Sequence, residues 1–350
     1  MSQILNSGKG TKIELIQNAD LSALCTYGVG GRAKRLVFAR CTDGLNQALG
    51  LDDNWIVIGN ASKLLFLDSG FDGTIIATKD DKYFFKTQKD DKSDFEFVYA
   101  GAGVKLPLLA RQMCKAGLYG LEWAGGIPAL IGGAVKMNAG AHGGDMATVV
   151  KSVDVFKNGK KIVLTNCRCG FGYRQSGFER SDIILGATLQ LKRASQNQSD
   201  KMVIEKTKSP LELLNFYNKK RALAQPKGKS CGSVFKAVTL NKSDLNHSVA
   251  NLLKLDDLKP KRLSGQNDIK AFNGQSAEPT IQIPAWKFID ACNLKGTQIG
   301  GAIVSKIHAN FIINSGNAKS DDIISLINLV KSQVYDKFSI KLLQEVIIVD

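Results

Sequence analysis

An α+β fold is predicted by three features of the chain. The first half strings short apolar runs between glycine turns. The second half mixes helical periodicity with strands, and no regular βαβ series links the two. Length supports more than one domain, because 350 residues exceed what one core usually organises.

The elements follow in order. "RLVFA" (35–39), "WIVIGN" (55–60) and "TIIAT" (74–78) are read as buried strands. "FEFVYAGAGV" (95–104) is a strand running into a glycine turn. Leu106, Leu109, Ala110, Met113 and Cys114 then recur at helical spacing, and Gly117 supplies the stop. "SVDVFKNGKKIVLT" (152–165) is a hairpin turning at Asn158-Gly159. "DIILGATLQLK" (182–192) is a further strand.

The polar stretch 193–201 is the candidate domain boundary. After it, 209–225 reads as a helix with Ser209 as N-cap and Pro210 in first position. Residues 239–280 have the composition of a surface insertion, with a short helix around "VANLLKL". Residues 285–296 form a helix stopped by Gly296. Residues 320–338 form the clearest helix, capped by Ser320, with Asp321 and Asp322 at its positive end and an apolar stripe from Ile323 to Val334. "IKLLQEVIIV" (340–349) reads as a closing buried strand. A short echo, "KDDK" at 79 and 89, reads as a charged hairpin or loop.

Composition narrows the function classes. The chain carries 47 basic and 32 acidic side chains, a net +15 that suits nucleic acid or phosphorylated small molecules. No basic helix or aromatic-interleaved basic stripe accompanies it, so a solvated surface is the expectation and nucleic acid is not. Seven scattered cysteines without a C-x-x-C pair, and only three histidines, give no metal-site spacing and suggest reduced thiols in a cytoplasmic protein. The N-terminus lacks a basic region followed by an apolar core, so no signal peptide is expected. The longest uncharged apolar run, about 123–135, is too short to span a bilayer and is broken by glycines and Pro128.

Several stretches could carry chemistry. Segment 120–144 holds eight glycines among 25 residues. It is either an anion nest of backbone N–H groups or a tight core turn, and Asn138 adds a polar group. It matches neither the dinucleotide fingerprint nor a P-loop. The turn at 59–73 is a second possible phosphate cradle, or an ordinary strand-to-helix connection. Arg174, among Phe171, Tyr173 and Phe178, is either paired or snorkelling. Glu345 interrupts an apolar strand, as a partnered structural group or as a site carboxylate; Gln344 beside it is a similar anomaly. Ser233, in "CGSVFK", lacks the glycine spacing of a nucleophile elbow and a nearby histidine, which argues against a hydrolase nucleophile.

Together these pieces resemble the UDP-N-acetylenolpyruvoylglucosamine reductase (MurB) family of flavoenzymes. The matching stretches are 24–38, 64–76, 101–144, "FGYRQSGF" (171–178), "GSVFK" (232–236), 285–314 and "LLQEVIIV" (342–349). The resemblance is to the subgroup lacking an extra tyrosine loop. It implies an FAD-binding fold of the vanillyl-alcohol-oxidase (PCMH-type) class plus a C-terminal α+β substrate domain. The implied domains are 1–78 and 79–195 for FAD and 196–350 for substrate, with the insertion at about 239–280. The implied reaction is NADPH-dependent reduction of an enolpyruvyl UDP-sugar to UDP-N-acetylmuramate, with hydride from reduced FAD delivered to C3 and a proton to C2. That places the chain in peptidoglycan synthesis, hence cell wall biogenesis, cell shape and cell division, as a cytoplasmic monomer.

By the same resemblance, Arg174 stabilises the enolate-like intermediate, Ser233 donates the proton, and Glu345 lies near the substrate carboxylate. Tyr173 and Lys236 would bind substrate. Gly59, Asn60, Ala61, Ser62, Lys63, Gly126, Ile127, Gly132, Gly133, Asn138 and Gly140 would line the flavin, with no metal. Some residues depart from the family pattern. The usual "GGGSN" is Gly59-Asn60-Ala61-Ser62-Lys63, where Lys63 could add a cation near the pyrophosphate. The usual "IPG[ST]" is Ile127-Pro128-Ala129-Leu130. A substrate-holding asparagine is replaced by Ala237, and Ala224 stands where a basic residue is usual, with Lys227 or Lys229 as possible substitutes. The alternative is another FAD-dependent oxidoreductase of the same superfold acting on a different substrate.

Overall fold

A computed structural model describes residues 2–7, 11–39, 42–77, 85–89, 94–193, 208–241, 247–252 and 280–350. Most of the expected boundary at 193–201 and of the two charged echoes lies outside these residues. The chain divides into two compact units. The first comprises 1–19, 34–60 and 72–223; the second comprises 20–33, 61–71 and 224–350.

The first unit is built on two sheets. One has the strand order Ser2–Ser7, Thr11–Asp20, Arg32–Ala39, Phe71–Ala77, Trp55–Ile58. Its apolar side chains, among them Ile13, Val37 and Ile76, pack with Leu45 and Ala48 of α1 (Thr42–Leu49). The other sheet is antiparallel, ordered Lys160–Thr165, Val150–Lys157, Ile183–Arg193, Phe95–Gly101, Phe85–Lys89, with Leu118–Tyr119 also paired to Ile183–Arg193. Burial alternates along Phe95–Gly101, as a sheet with one covered face requires. The cover is α2 (Leu106–Lys115), which buries the five residues picked out by periodicity, and α3 (Ile131–Lys136).

Local chemistry explains the turns. Asn158 and Gly159 have φ of 51° and 74°, the two left-handed residues that a tight hairpin needs. After α4 (Met146–Val149), α5 (Pro210–Ala224) begins with a reciprocal cap. Ser209 N–H donates to Glu212 Oε2 at 2.7 Å, and Glu212 N–H donates to Ser209 Oγ at 3.3 Å.

The second unit carries an antiparallel sheet of Gln298–Ile299, Ala302–Val304 and Ile312–Asn314. The insertion leaves through Val238–Asn241 and returns through its antiparallel partner Thr280–Ile283, and α6 (His247–Leu252) is the expected short helix within it. Helix α7 (Ala285–Ala291) meets α8 (Ser320–Phe338) through Phe288 and Phe338, edge to face at 5.4 Å. The earlier segments 20–33 and 61–71 are tied in by polar bonds. Asn314 Nδ2 donates to Tyr27 O at 2.8 Å. Asp68 N–H donates to Ser320 Oγ at 2.9 Å while Ser320 N–H donates to Asp68 Oδ2 at 2.8 Å.

Three expectations are corrected. Ser320 is the first helical residue rather than the cap; Asp322 takes the Lys319 N–H at 2.9 Å, and the Ser320 hydroxyl serves Asp68. Helix α7 ends at Ala291, because Asn293 turns left-handed at φ 56° before Gly296 is reached. The closing strand is Ile347–Val349 only, pairing in parallel with Leu64–Phe66. Leu343 and Ile347 are exposed, so the run around Glu345 is not buried throughout as expected.

Candidate active site

In the first unit the two glycine-rich turns meet. A Cβ placed on Gly59 would lie 3.8 Å from Gly133 N, while one placed on Gly133 would enter open space. Asn60 Nδ2 ties the turns together by donating to Pro128 O at 3.0 Å. The turn at 59–60 leads from one strand to the next, Leu64–Phe66, so the strand-to-helix alternative does not hold. The other candidate glycines meet protein. A Cβ on Gly126 would strike Arg221 Cδ at 2.6 Å, one on Gly132 would crowd Ala102 Cβ at 3.0 Å, and one on Gly140 would strike Gly144 O at 2.5 Å. A side chain at 133 would meet open space and one at 59 only ordinary contacts, while side chains at 126, 132 and 140 would collide with their neighbours. Ile127 is half-buried against the core of this unit.

Asn138 is buried and its amide is engaged within the protein. Its Nδ2 donates to Gly172 O at 2.9 Å and its Oδ1 accepts from Ala147 N at 2.9 Å. It thereby fastens the loop that carries Arg174 to the glycine-rich segment. Arg174 itself adopts φ 54°, a left-handed backbone uncommon for a large side chain, and its Nη2 donates to Gly140 O at 2.5 Å. Its guanidinium also lies 5.2 Å from the ring centre of the exposed Tyr173. Burial, and after it the charge of Arg174, lowers the pKa of Arg221 on α5. Burial raises Asp145 above the ordinary carboxylate range, against the pull of Thr148 N–H, Asn138 and Arg174. This corner of the unit concentrates positive charge.

In the second unit, "CGSVFK" is an extended segment laced to both sides. Val234 N–H donates to Asn310 O at 2.8 Å, and Asn310 Oδ1 and Nδ2 clamp Phe235 N and O at 2.9 Å each. On the opposite side, Glu345 N–H donates to Val234 O at 2.7 Å and Lys236 N–H to Leu343 O at 2.8 Å. Val234 and Phe235 are buried, which anchors the half-buried Ser233 between them and Gly232. Gln344 is accounted for: its amide accepts from Lys331 Nζ and donates to Val346 O.

Lys63 joins this group. Its Nζ donates to Ser233 O at 2.7 Å and lies 3.3 Å from Glu345 Oε2, with the two side chains 26% and 11% exposed. Ala61, two residues earlier, holds φ 47°, and Ser62 is half-buried. The structure thus brings Ser233, Glu345 and Lys63 together in one unit, while Arg174 and Tyr173 belong to the other.

The comparisons decide the family. The C-terminal domain of UDP-N-acetylenolpyruvoylglucosamine reductase matches residues 224–349, and an FAD binding domain matches 43–166. The reductase of Caldicellulosiruptor bescii is 34% identical over 97% of this chain and 91% of its own. The chain belongs to the UDP-N-acetylenolpyruvoylglucosamine reductase family. The reductase of Carboxydothermus hydrogenoformans is 35% identical over 95% of this chain and 93% of its own. The crystal structure of the Thermus caldophilus reductase superposes with a TM-score of 0.67 at 29% identity, covering both chains fully. The expected fold class holds, and the FAD-binding match assigns FAD as cofactor. Gly59 and Gly133 both lie within the matched region.

Sequence reasoning missed two features of the site. One is Arg221, whose signal was its spacing with Leu214 and Asn218 along one face of α5, the face that covers Gly125 and Gly126. The other is the contact of Lys63 with Glu345, for which no local pattern exists. Among the described residues no group of His, Cys, Asp or Glu could hold a metal, and no helix is long and apolar enough to cross a membrane.

Proposed function

We propose that the chain reduces the enolpyruvyl group of UDP-N-acetylglucosamine enolpyruvate to the lactyl ether of UDP-N-acetylmuramate, with NADPH as reductant, in the cytoplasmic synthesis of peptidoglycan precursors. Bound FAD supplies hydride for C3 of the enolpyruvyl group. The carrying observation is that Ser233 and Glu345, remote in sequence, sit on adjacent hydrogen-bonded segments in the part of the chain that matches the reductase C-terminal domain.

The residues then have defined tasks. Gly59 and Gly133 leave room for backbone approach to the cofactor, with Asn60 holding the turns at that spacing. Ser233 delivers the proton to C2; among the described residues its hydroxyl makes no hydrogen bond. Glu345 orients the substrate around its carboxylate. Arg174, anchored at Gly140 O, offsets negative charge as it develops on the substrate carboxylate, where a fixed guanidinium needs little reorganisation. Tyr173 and Lys236 contact the sugar nucleotide, and the chain works as a monomer in three parts, two for FAD and one for substrate.

The test mixes the flavin-loaded protein with NADPH and the enolpyruvyl sugar nucleotide. Substrate-dependent NADPH consumption is expected. Its absence, from protein that retains FAD, overturns the proposal and favours a different substrate for the same superfold.

A further inference from the structure

The root of Lys63 is fixed on both sides. Its carbonyl accepts the N–H of Ile347 at 2.8 Å, and the next residue, Leu64, pairs with Ile347 in the parallel ladder. From that root the ammonium reaches two groups at once, the Ser233 carbonyl at 2.7 Å and the Glu345 carboxylate at 3.3 Å. The ammonium passes Gly232 at ordinary contact distance, 3.7 Å from where a Cβ would stand, and it is the left-handed φ of 73° that favours glycine there. An ammonium offers three donors from one compact charge, so it can bridge a carbonyl and a carboxylate that no neutral side chain of this length would hold together.

We propose that Lys63 is a positioning residue for proton delivery: it locks the Ser233 main chain and the Glu345 carboxylate into one rigid unit, so that the Ser233 hydroxyl is held at a fixed place relative to the acidic side chain that orients substrate. This rests on the proton-donor reading of Ser233. The physical reason is that the Glu345 side chain is 11% exposed, so water can only partly replace an ammonium taken away from 3.3 Å, and the carboxylate loses a group that fixes its position. The segment bonded to it through Val234 then loses its fixed spacing, and a misplacement of about 1 Å at a reacting group can cost about 10²-fold in rate.

The experiment uses the flavin-loaded full chain and its Lys63→Met and Lys63→Arg variants. Each is reduced with dithionite and mixed anaerobically with the enolpyruvyl sugar nucleotide in H2O and in D2O, and flavin reoxidation is followed. Lys63→Met is expected to retain flavin, to reoxidise about 10²-fold more slowly, and to show a larger solvent isotope effect than the wild type. Lys63→Arg is expected to recover most of the rate. Reoxidation of Lys63→Met within about three-fold of wild type, an unchanged isotope effect, or a rate loss matched by loss of bound flavin overturns the inference. If the wild type itself does not react, the substrate reading fails, and melting temperatures then test the lock. The losses from Lys63→Met and Glu345→Gln should fail to add in the double variant, and additive losses contradict it. Should Lys63→Met not fold, Lys63→Gln, which also removes the charge, takes its place in that cycle.

Discussion

The backbone N–H of Glu345 donates to the carbonyl of Val234 at 2.7 Å, which sets the main chain of Glu345 one hydrogen bond away from the residue that follows Ser233. In the proposed reaction a rigid pairing of this kind would supply the orientation that a serine acid needs in the absence of a histidine. Ser233→Ala should therefore leave flavin reduction by NADPH intact and lose three or so decades of substrate reduction, at the upper part of the about 10²–10⁴-fold range of general acid catalysis. Separate rapid-mixing measurements of the two half-reactions check this. A substrate turnover within a few-fold of wild type removes Ser233 from the proton path.

Ala61 occupies a left-handed conformation at φ 47°, where a Cβ clashes with the following carbonyl. The strain costs about 1 kcal/mol. Ala61→Gly should raise the melting temperature of the flavin-loaded protein by a few degrees. A lower melting temperature shows that contacts of the buried methyl group outweigh the strain.

Glu122 is buried near the start of the glycine-rich segment, where its Oε1 accepts from Gly120 N at 2.9 Å. Burial raises its pKa, and only the backbone N–H groups pull the other way. A raised folded value means the stabilising contribution is complete below the unfolded value of about 4.3 and is lost as pH rises through the folded one. Glu122→Gln, which keeps an oxygen for Gly120, should melt higher than wild type at neutral pH. The gap should close as pH falls toward about 4. A gap independent of pH removes ionisation as its cause.

Cys25 and Cys231 form a buried thiol pair. Thr26 Oγ1 donates to Cys231 Sγ at 3.2 Å, and the Cys25 and Cys231 thiols converge on Leu64 O at 3.2 and 3.3 Å. The neighbouring Cys231 side chain, aided by the N–H groups of Tyr27, Val29 and Phe66, holds Cys25 down at about 6, whereas burial pushes Cys231 far up. Between about 6 and the unfolded thiol value of about 8.5, folding releases a proton from Cys25, so stability should rise with pH across that window. Cys231→Ala should flatten the slope and move the thiolate absorbance of Cys25 to higher pH. An unaltered slope would falsify the pairing as its source.

Features set by neighbours in the chain were legible in the sequence. The stripe on α2, the Ser209 cap and the Asn158-Gly159 turn each depend on residues within a few positions of one another. Features set by distant partners were not. The closing run was read as one long strand because its apolar pattern is continuous. Its ladder partner, Leu64–Phe66, is only three residues long, so the strand is confined to Ile347–Val349 and the residues before it bond instead to 234–236. Ser320 looked like a cap because its partner Asp68 is far away in sequence. The family pattern leaves room for Lys63 as a cation near the flavin pyrophosphate, and nothing local to "GNASK" reveals that its ammonium meets Glu345 and Ser233 O. The positive φ of Arg174 was equally hidden, since arginine carries no sequence mark of a left-handed backbone.

The central claim, that this chain passes hydride from FAD to an enolpyruvyl UDP-sugar while Ser233 supplies the proton, is tested most directly by one anaerobic turnover. The flavin-loaded protein is reduced with dithionite, freed of excess reductant, and mixed with one equivalent of the enolpyruvyl sugar nucleotide. The account predicts full return of oxidised flavin absorbance and an equal amount of product carrying the added hydride and proton in its mass. Flavin that stays reduced beside unchanged sugar nucleotide would contradict it.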